Sequence, residues 1–215
     1  MASLLIVKAH PLDAQKSYAL RALEEFQTRY ASLHPEDQIE VVDVFEDQIP
    51  ALDKSLLEAM GAAKKGEAIS PEQAEQLDRY NALTQQFLAA DKIVVVNPLW
   101  NLNVPSQLVS WINTINVAGL TFKYGPEGSI GLVKGKKLLH IQSNGGVYAG
   151  QDPAAQYIKS IFEFLGFEDI HQVFIEGQSA DPSQAQAILK KLWGKLIQFW
   201  KYFKIWNFQV FFCKI

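Results

Sequence analysis

The run KIVVVN at residues 92–97 is the part of the sequence that decides the fold. Four consecutive β-branched aliphatic residues with no polar residue between them are typical of a parallel strand that is buried on both faces. Patterns of helical period lie on both sides of this run, and short apolar runs alternate with such patterns along the chain. This alternation indicates an α/β fold with a parallel sheet and crossover helices.

Five strands and at least four helices are predicted from these patterns. The strands are expected at residues 3–9, 38–44, 92–97, 137–143 and 171–175. The helices are expected at 15–30, 71–89, 104–117 and 153–165, with a further helix beginning near Pro182. The polar insertion at 47–70 is long for a connection between a strand and a helix, so we expect a lid or a dimer element there.

Composition limits the class of protein. A chain of 215 residues with 48% hydrophobic and 20% charged residues fits one folded domain. The net charge of −3 provides no basic surface for nucleic acid. Cys213 is the single cysteine, which excludes an intrachain disulfide and fits a reducing compartment. Because the first apolar run is too short for a signal peptide, we expect a cytoplasmic protein.

Three loops are candidates for a ligand site. In an open sheet of this kind, ligands bind beyond the carboxyl ends of the strands, where the strand order reverses. The first, third and fourth predicted strands are followed by loops at residues 9–18, 97–105 and 143–146. We expect these loops to form one site, because they lie at the same edge of the sheet.

The first loop ends with Lys16 and Ser17 at the predicted start of a helix. Free backbone N–H groups, the helix dipole and the Ser17 hydroxyl can hold a phosphate there. Ser17 also fits an ordinary N-cap, which needs no ligand. The loop lacks the G-x-G-x-x-G fingerprint of dinucleotide sites, and the chain has no G-x-x-x-x-G-K-[ST] motif for a nucleoside triphosphate.

The other two loops offer a ring surface and free backbone. Trp100 can support a flat ring or simply cap the core, while Asn97, Asn101 and Asn103 are costly to bury unless they form hydrogen bonds. The glycine pair at 145–146 allows either a tight turn or close approach of a ligand to backbone N–H groups. Together the three loops have the chemistry that a flavin mononucleotide (FMN) requires.

Other catalytic motifs are absent from the sequence. The chain has no G-x-S-x-G elbow and no H-E-x-x-H zinc pair, and a phospho-receiver domain would need an aspartate at the position of Asn97. His10 is the single histidine in the proposed crevice, whereas His34, His140 and His171 are interpreted as loop or sheet residues. We predict no catalytic side chain and no metal site.

Four motifs resemble the bacterial family of FMN-dependent NADH-azoreductases and NADH:quinone oxidoreductases, over nearly all of residues 1–190. The motifs are KAHP at 8–11, PLWNLNVP at 98–105, INVAG at 115–119 followed by Thr121-Phe122, and QSNGG at 142–146. Any one of them could arise by chance, but their common order and spacing could not.

The resemblance implies a flavodoxin-like fold, with a five-stranded parallel sheet in the order 2-1-3-4-5 and helices on both faces. It makes residues 1–190 an FMN-binding reductase domain, with the phosphate on Ser17, Tyr18 and Ala19 and with His10 close by. Members of the family usually have further hydroxyl groups in the phosphate loop, whereas Tyr18 and Ala19 follow Ser17 here, so these two residues are expected to bind through their backbone N–H groups. The residues implied to hold the flavin ring and its polar edge are Leu99, Trp100, Asn101, Leu102, Ser143, Asn144, Gly145 and Gly146.

The same resemblance implies a homodimer with each flavin at the interface, where Phe122, Tyr124, Phe164 and the insertion 47–70 help wall the substrate pocket. The implied reaction is ping-pong: NADH gives a hydride to FMN, and the reduced FMN then reduces a quinone or, over two cycles, cleaves an azo bond to amines. The alternative is a flavodoxin-like electron carrier or binding module that holds FMN without turning over NADH. The weak net charge of −3 argues against the acidic docking surface of such carriers.

The segment 191–215 departs from the family, whose members usually end in a more polar helix. After Asp181 the chain has no acidic residue, and aromatic residues alternate with lysines. We predict that the segment packs on the sheet or dimer, is an altered and partly disordered end, or associates with an anionic membrane surface. Lys195, Lys201 and Lys204 interrupt the apolar run and exclude a membrane span.

Overall fold

The computed structural model describes residues 1–178, so the predicted helix near Pro182 and the segment 191–215 lie outside the described residues. The described part alternates strands and helices as the sequence predicts. In chain order the elements are β1 (Ser3–Lys8), α1 (Tyr18–Leu33), β2 (Gln38–Asp43), α2 (Lys54–Lys65), α3 (Pro71–Ala89), β3 (Lys92–Pro98), α4 (Ser106–Ile115), β4 (Phe122–Gly125), β5 (Gly128–Gly131), β6 (Lys137–Asn144), α5 (Pro153–Leu165) and β7 (Asp169–Glu176).

Five of the strands form one parallel sheet in the order β2-β1-β3-β6-β7. This is the predicted order 2-1-3-4-5 once the additional hairpin strands β4 and β5 are counted, so the flavodoxin-like topology is confirmed. β3 lies at the centre and every one of its residues is buried, as its unbroken β-branched run predicts.

Helices cover both faces of the sheet. On one face, α1 packs Leu20, Phe26 and Tyr30 against the strands. On the other face, α3, α4 and α5 enclose a second cluster that includes Phe87 and Trp111. Within residues 1–178, no helix combines the length and the hydrophobicity needed to cross a bilayer.

Two helices begin and end where the sequence predicts, because their starts carry strong local signals. Ser70 caps α3 in a capping box with Gln73, and Pro71 occupies the first turn. Asp152 caps α5 by accepting the Ala155 N–H, and Pro153 occupies the first turn of that helix. α1 begins at Tyr18 rather than at residue 15, because the residues before it form a turn around Asp13.

Two regions differ from, or add to, the predicted elements. The sequence patterns did not predict the hairpin of β4 and β5, which pairs Phe122 with Gly131. The insertion 47–70 contains α2, which is capped by Asp53 and ends at Gly66 with φ of 70°. α2 packs on α3 through its buried face, so the insertion is an ordered part of the domain.

Candidate active site

The three predicted loops meet because their strands are neighbours in the sheet. β1, β3 and β6 lie side by side, so their carboxyl ends open at one edge. Backbone hydrogen bonds continue into the loops: the Ala9 N–H donates to Val96 at 2.8 Å, and the Leu99 N–H donates to Ser143 at 2.9 Å. Backbone hydrogen bonds therefore hold the starts of these loops in fixed positions relative to one another.

The first loop turns around Asp13 before it enters α1. The Asp13 carboxylate accepts the N–H groups of Gln15 and Lys16, and the Asp13 carbonyl accepts the Ser17 N–H at 3.0 Å. The Ser17 hydroxyl accepts the Leu20 N–H at 3.4 Å, which confirms that Ser17 is the N-cap of α1.

The start of α1 has the donors that a phosphate requires. Tyr18 and Ala19 are the first two helical residues, whose N–H groups have no acceptor within a helix. The Ser17 hydroxyl keeps its own proton for a further acceptor. Ala19 is buried, and the Arg21 guanidinium lies 5.1 Å from the centroid of the Tyr18 ring. The backbone N–H groups of Tyr18 and Ala19, together with the Ser17 hydroxyl, are thus the groups that can bind an anion here.

His10 is a neutral hydrogen-bond donor just beyond β1. It is 5% exposed, and its Nδ1 accepts the Leu12 N–H at 3.0 Å. Burial lowers the pKa of His10, and the nearby charge of Lys8 lowers it further. The ring is therefore neutral at pH 7 and carries its proton on Nε2, because Nδ1 is occupied as an acceptor. Its centroid lies 5.5 Å from that of Trp100.

A two-residue turn shapes the second loop. Trp100 and Asn103 exchange two backbone hydrogen bonds, of 3.0 and 2.9 Å, across Asn101 and Leu102. Both central residues are left-handed, with φ of 51° and 60°. Asn tolerates this conformation, but it is unfavourable for Leu, so the turn holds local strain of a kind that is concentrated at ligand sites.

The second loop presents an exposed apolar surface. Trp100 is 41% exposed and contacts Phe45 with 6.4 Å between the ring centroids, so it does not cap the core. Leu99 instead packs on the core, and Asn101 and Leu102 are exposed. An exposed indole beside an aliphatic side chain is a suitable surface for a flat ring.

In the third loop, the amide side chain of Asn144 points into the protein interior. Asn144 is fully buried, and its Nδ2 donates to the carboxylates of Asp152 at 3.5 Å and Glu176 at 3.0 Å. A Cβ on Gly146 would lie 3.1 Å from the Tyr148 ring, so a larger residue would displace the loop or the ring. The side chain of Asn144 thus supports the loop, and a ligand is left to its backbone.

Ser143 and Gly145 complete the third loop and are half-buried at the sheet edge. The end of β7 holds the loop from the other side, because the Gly177 N–H donates to the Gly146 carbonyl at 3.0 Å. The backbone around the glycine pair is therefore fixed and remains accessible.

The three predicted pocket residues lie together. The Phe122 ring centroid is 4.7 Å from that of Phe164 and 5.5 Å from that of Tyr124. Tyr124 is 79% exposed on β4. Within residues 1–178, no ring contact joins this group to Trp100, so one subunit holds two separate aromatic groups.

The sequence patterns did not single out two features of the site. One is Phe45, which follows β2 at the same sheet edge and supports Trp100. The other is a group of buried polar side chains directly behind the second and third loops, of which the sequence indicated only that Asn97 needs hydrogen bonds if it is buried. A signal existed for the second feature, since Gln142 is a polar residue in a strand that the fold buries on both faces.

Comparison with known proteins identifies relatives over nearly the whole chain. The family model described as having a flavodoxin-like fold matches residues 2–198. An FMN-dependent NADH:quinone oxidoreductase from Streptococcus suis is 92% identical over 198 residues, which cover 92% of this chain and 98% of that protein. A protein of the same name from Staphylococcus haemolyticus is 39% identical over 194 residues, which cover 87% of this chain and 93% of that one.

A solved structure gives the same result. The FMN-dependent NADH-azoreductase from Bacillus anthracis in complex with FMN has a TM-score of 0.85 and 32% identity, and the match covers 93% of this chain and 99% of that chain. The chain therefore belongs to the flavodoxin-like family of FMN-dependent NADH:quinone oxidoreductases and NADH-azoreductases.

Proposed function

We propose that this protein is an FMN-dependent oxidoreductase that passes electrons from NADH to quinones by two-electron reduction, and to azo compounds, which it cleaves to amines. The protein from Streptococcus suis, at 92% identity, supports the quinone activity by its name. The azoreductase from Bacillus anthracis, at 32% identity and in complex with FMN, supports the azo activity and the cofactor.

The observation that carries the proposal is the match between three loops and three parts of FMN. The start of α1 offers free N–H groups and a hydroxyl for a phosphate. The second loop offers the exposed indole of Trp100 for the isoalloxazine. The third loop offers the backbone around Gly145 for the polar edge of the ring. Because all three lie at one edge of the sheet, a single FMN fits the donor set.

When bound, FMN supplies the chemistry by accepting two electrons from NADH and passing them on. The residues of the chain bind and orient it. Ser17, Tyr18 and Ala19 hold the phosphate, and the second and third loops fix the ring. His10 has its Nε2–H free of the Leu12 contact and would offer it to the cofactor, and the ring adds no charge because burial lowers its pKa. No side chain is required to act as an acid or a base.

The proposed enzyme is a cytoplasmic homodimer whose substrate pocket is completed by the partner subunit. Phe122, Tyr124 and Phe164 form one wall of that pocket. Tyr124 is 79% exposed and Leu120 is 47% exposed on the same part of the chain, and apolar surface of this kind is typical of an interface. In the proposed dimer, a partner subunit that covers this surface would place its own copy of these three aromatic residues beside the flavin.

The test is to follow the two half-reactions separately, under anaerobic conditions and at one flavin per chain. Addition of one equivalent of NADH should bleach the yellow protein, and one equivalent of a benzoquinone should then restore the colour. An azo dye should restore the colour and lose its own absorbance.

The same experiment separates an enzyme from an electron carrier. A carrier would bind FMN but would not be bleached by NADH at a useful rate, although dithionite would reduce it. That result would overturn the proposed reductase activity and favour the carrier. Protein that is colourless and does not take up added FMN would overturn both.

A further inference from the structure

A chain of hydrogen-bonded polar side chains, buried except at its half-buried end Gln172, runs through the sheet directly behind the second and third loops. A sheet that is covered on both faces normally carries aliphatic residues there, because a buried polar group costs free energy unless it is hydrogen-bonded. Each of these side chains is hydrogen-bonded to the next. In order, the members are Gln172, His140, Asn97, Gln142 and Asp152.

The Asp152 carboxylate sets the direction of this chain. It accepts the Gln142 amide N–H at 3.0 Å, so Gln142 presents its Oε1 to Asn97, whose Nδ2 donates at 3.2 Å. Asn97 has its Oδ1 left for the His140 ring, 2.8 Å away, and the imidazole therefore donates through Nε2. The Nδ1 of His140 accepts from Gln172 at 3.0 Å.

The His140 ring is suited to this position only when it is neutral. It is fully buried, and burial lowers its pKa to about 3. A neutral ring has one donor and one acceptor, and both are used here. The direction of every hydrogen bond between Gln172 and Asp152 is thus fixed.

The chain is attached to both of the loops that are proposed to hold the flavin ring. Asn97 Nδ2 also donates to the Pro98 carbonyl at 3.0 Å, at the entry to the second loop. Gln142 Nε2 also donates to Asn144 Oδ1 at 2.9 Å, in the third loop. The two loops are therefore connected through buried side chains as well as through the sheet.

A second carboxylate holds the far side of the third loop. Glu176, at the end of β7, accepts the Nδ2 of Asn144 at 3.0 Å. It also accepts the backbone N–H groups of Tyr148 at 3.0 Å and Ala149 at 3.1 Å. The third loop is thus fixed on both sides of its glycine pair.

We infer that His140, Asn97 and Gln142 are positioning residues for the flavin ring, which set the distance and orientation between the second and third loops without touching the cofactor. The inference rests on the proposed FMN site. It assigns a role to three buried residues that have no part in the binding of the phosphate, at the start of α1.

The decisive variant is His140→Leu, which fills the same space but can neither donate nor accept. FMN is removed, and the affinity of the apoprotein is then measured by quenching of flavin fluorescence. We expect FMN to bind about tenfold more weakly or worse, because buried partners are left unpaired and the loops lose their common support. The visible circular dichroism of the bound flavin should change as well. The affinity for riboflavin, which has no phosphate, should fall by the same factor, because the variant changes the ring site and leaves the phosphate site intact.

Two matched variants separate positioning from general stability. His140→Gln keeps an amide N–H that can reach Asn97, and it should recover affinity to within about threefold of wild type. Tyr30→Phe removes a buried hydroxyl that donates to Asp37 at 2.6 Å, at the opposite edge of the sheet. It should leave the FMN affinity and the flavin spectrum unchanged, although it lowers stability.

Unchanged FMN affinity and circular dichroism in folded His140→Leu would overturn the inference alone, and an equal loss in Tyr30→Phe would do the same. If His140→Leu does not fold, it is replaced by Gln172→Met, at the half-buried end of the hydrogen-bonded side chains. This variant must then bind FMN more weakly than the wild type. Wild-type protein that does not bind FMN would overturn the proposed function and this inference together.

Discussion

At the scale of single residues, Ser17 has two roles at the start of α1 that mutation can separate. Ser17→Ala removes the N-cap bond to Leu20 and should lower the free energy of unfolding by about 1 kcal/mol. It should also weaken FMN, because a proposed phosphate ligand is lost. Urea denaturation and a flavin titration measure the two effects.

Ser70→Ala is the matched control for this prediction. Ser70 caps α3 through the Gln73 N–H at 3.2 Å, away from the three loops. Its loss should lower stability by a similar amount of about 1 kcal/mol while leaving FMN affinity unchanged. If both variants bind FMN equally well, Ser17 is an N-cap and not a phosphate ligand.

His140 gives the protein a pH-dependent stability. Its pKa is lowered from 6.5 to about 3 in the folded protein, so the unfolded chain takes up a proton first as the pH falls. The contribution of His140 is complete above pH 6.5 and is lost progressively down to about pH 3. In that window, the free energy of unfolding should fall less steeply with decreasing pH in His140→Gln than in the wild type. The difference in slope should be up to about 1.4 kcal/mol per pH unit. An identical slope in both proteins would contradict this.

The sequence singled out the proposed ligand residues more readily than the residues that support them. His10, Ser17 and Trp100 stand in loops after strands, where a polar or aromatic residue indicates a site. His140 was interpreted as a loop or sheet residue because a single histidine in a strand carries no local signal. Its role depends on Asn97, which reaches it from a different strand.

At the scale of elements, local signals explain which predictions were accurate. α3 and α5 were predicted at their observed bounds because Ser70-Pro71 and Asp152-Pro153 are strong helix starts. The hairpin of β4 and β5 was not predicted, because its strands are short and its fit depends on contact with α5. That contact joins residues that are far apart in the sequence, so local patterns do not indicate it.

Gly131, at the end of β5, tests this contact. A Cβ there would lie 2.4 Å from the backbone N of Gly166, which ends α5. Gly131→Ala should therefore displace the hairpin, cost about 2 kcal/mol of stability and reduce quinone turnover, because Phe122 moves with the hairpin. Thermal unfolding and steady-state rates measure these effects.

Gly61→Ala is the control of opposite sign. Gly61 lies inside α2, and a Cβ there would meet no atom within 4 Å. Alanine is the better helix former, so this variant should gain about 0.5–1 kcal/mol and keep full activity. If Gly131→Ala behaves like Gly61→Ala, then the hairpin does not depend on close packing against α5.

At the scale of the whole molecule, the alternation of elements predicts a five-stranded parallel sheet, and the family resemblance implies its strand order. The sequence patterns by themselves give no information about the assembly. Patterning identifies buried faces within one chain, whereas the exposed Tyr124 becomes informative only in the folded subunit. The separation of the Phe122 group from Trp100 likewise could not be predicted from spacing. These features favour a second subunit at the site.

The proposed homodimer makes activity depend on protein concentration. If each pocket is built from two subunits, dilution to monomers should weaken FMN and abolish quinone reduction together, since the pocket wall leaves with the partner. Sedimentation velocity and turnover are measured over the same range of concentrations. A monomer that is fully active at every dilution would show that one chain completes the pocket.

The most direct test of the FMN site is a crystal structure of the protein with FMN. We expect the phosphate on the N–H groups of Tyr18 and Ala19 and on the Ser17 hydroxyl, the isoalloxazine along Leu99–Leu102, and its polar edge on the backbone of residues 143–146. FMN bound elsewhere on the chain, or bound with its ring away from both the second and third loops, would contradict the account.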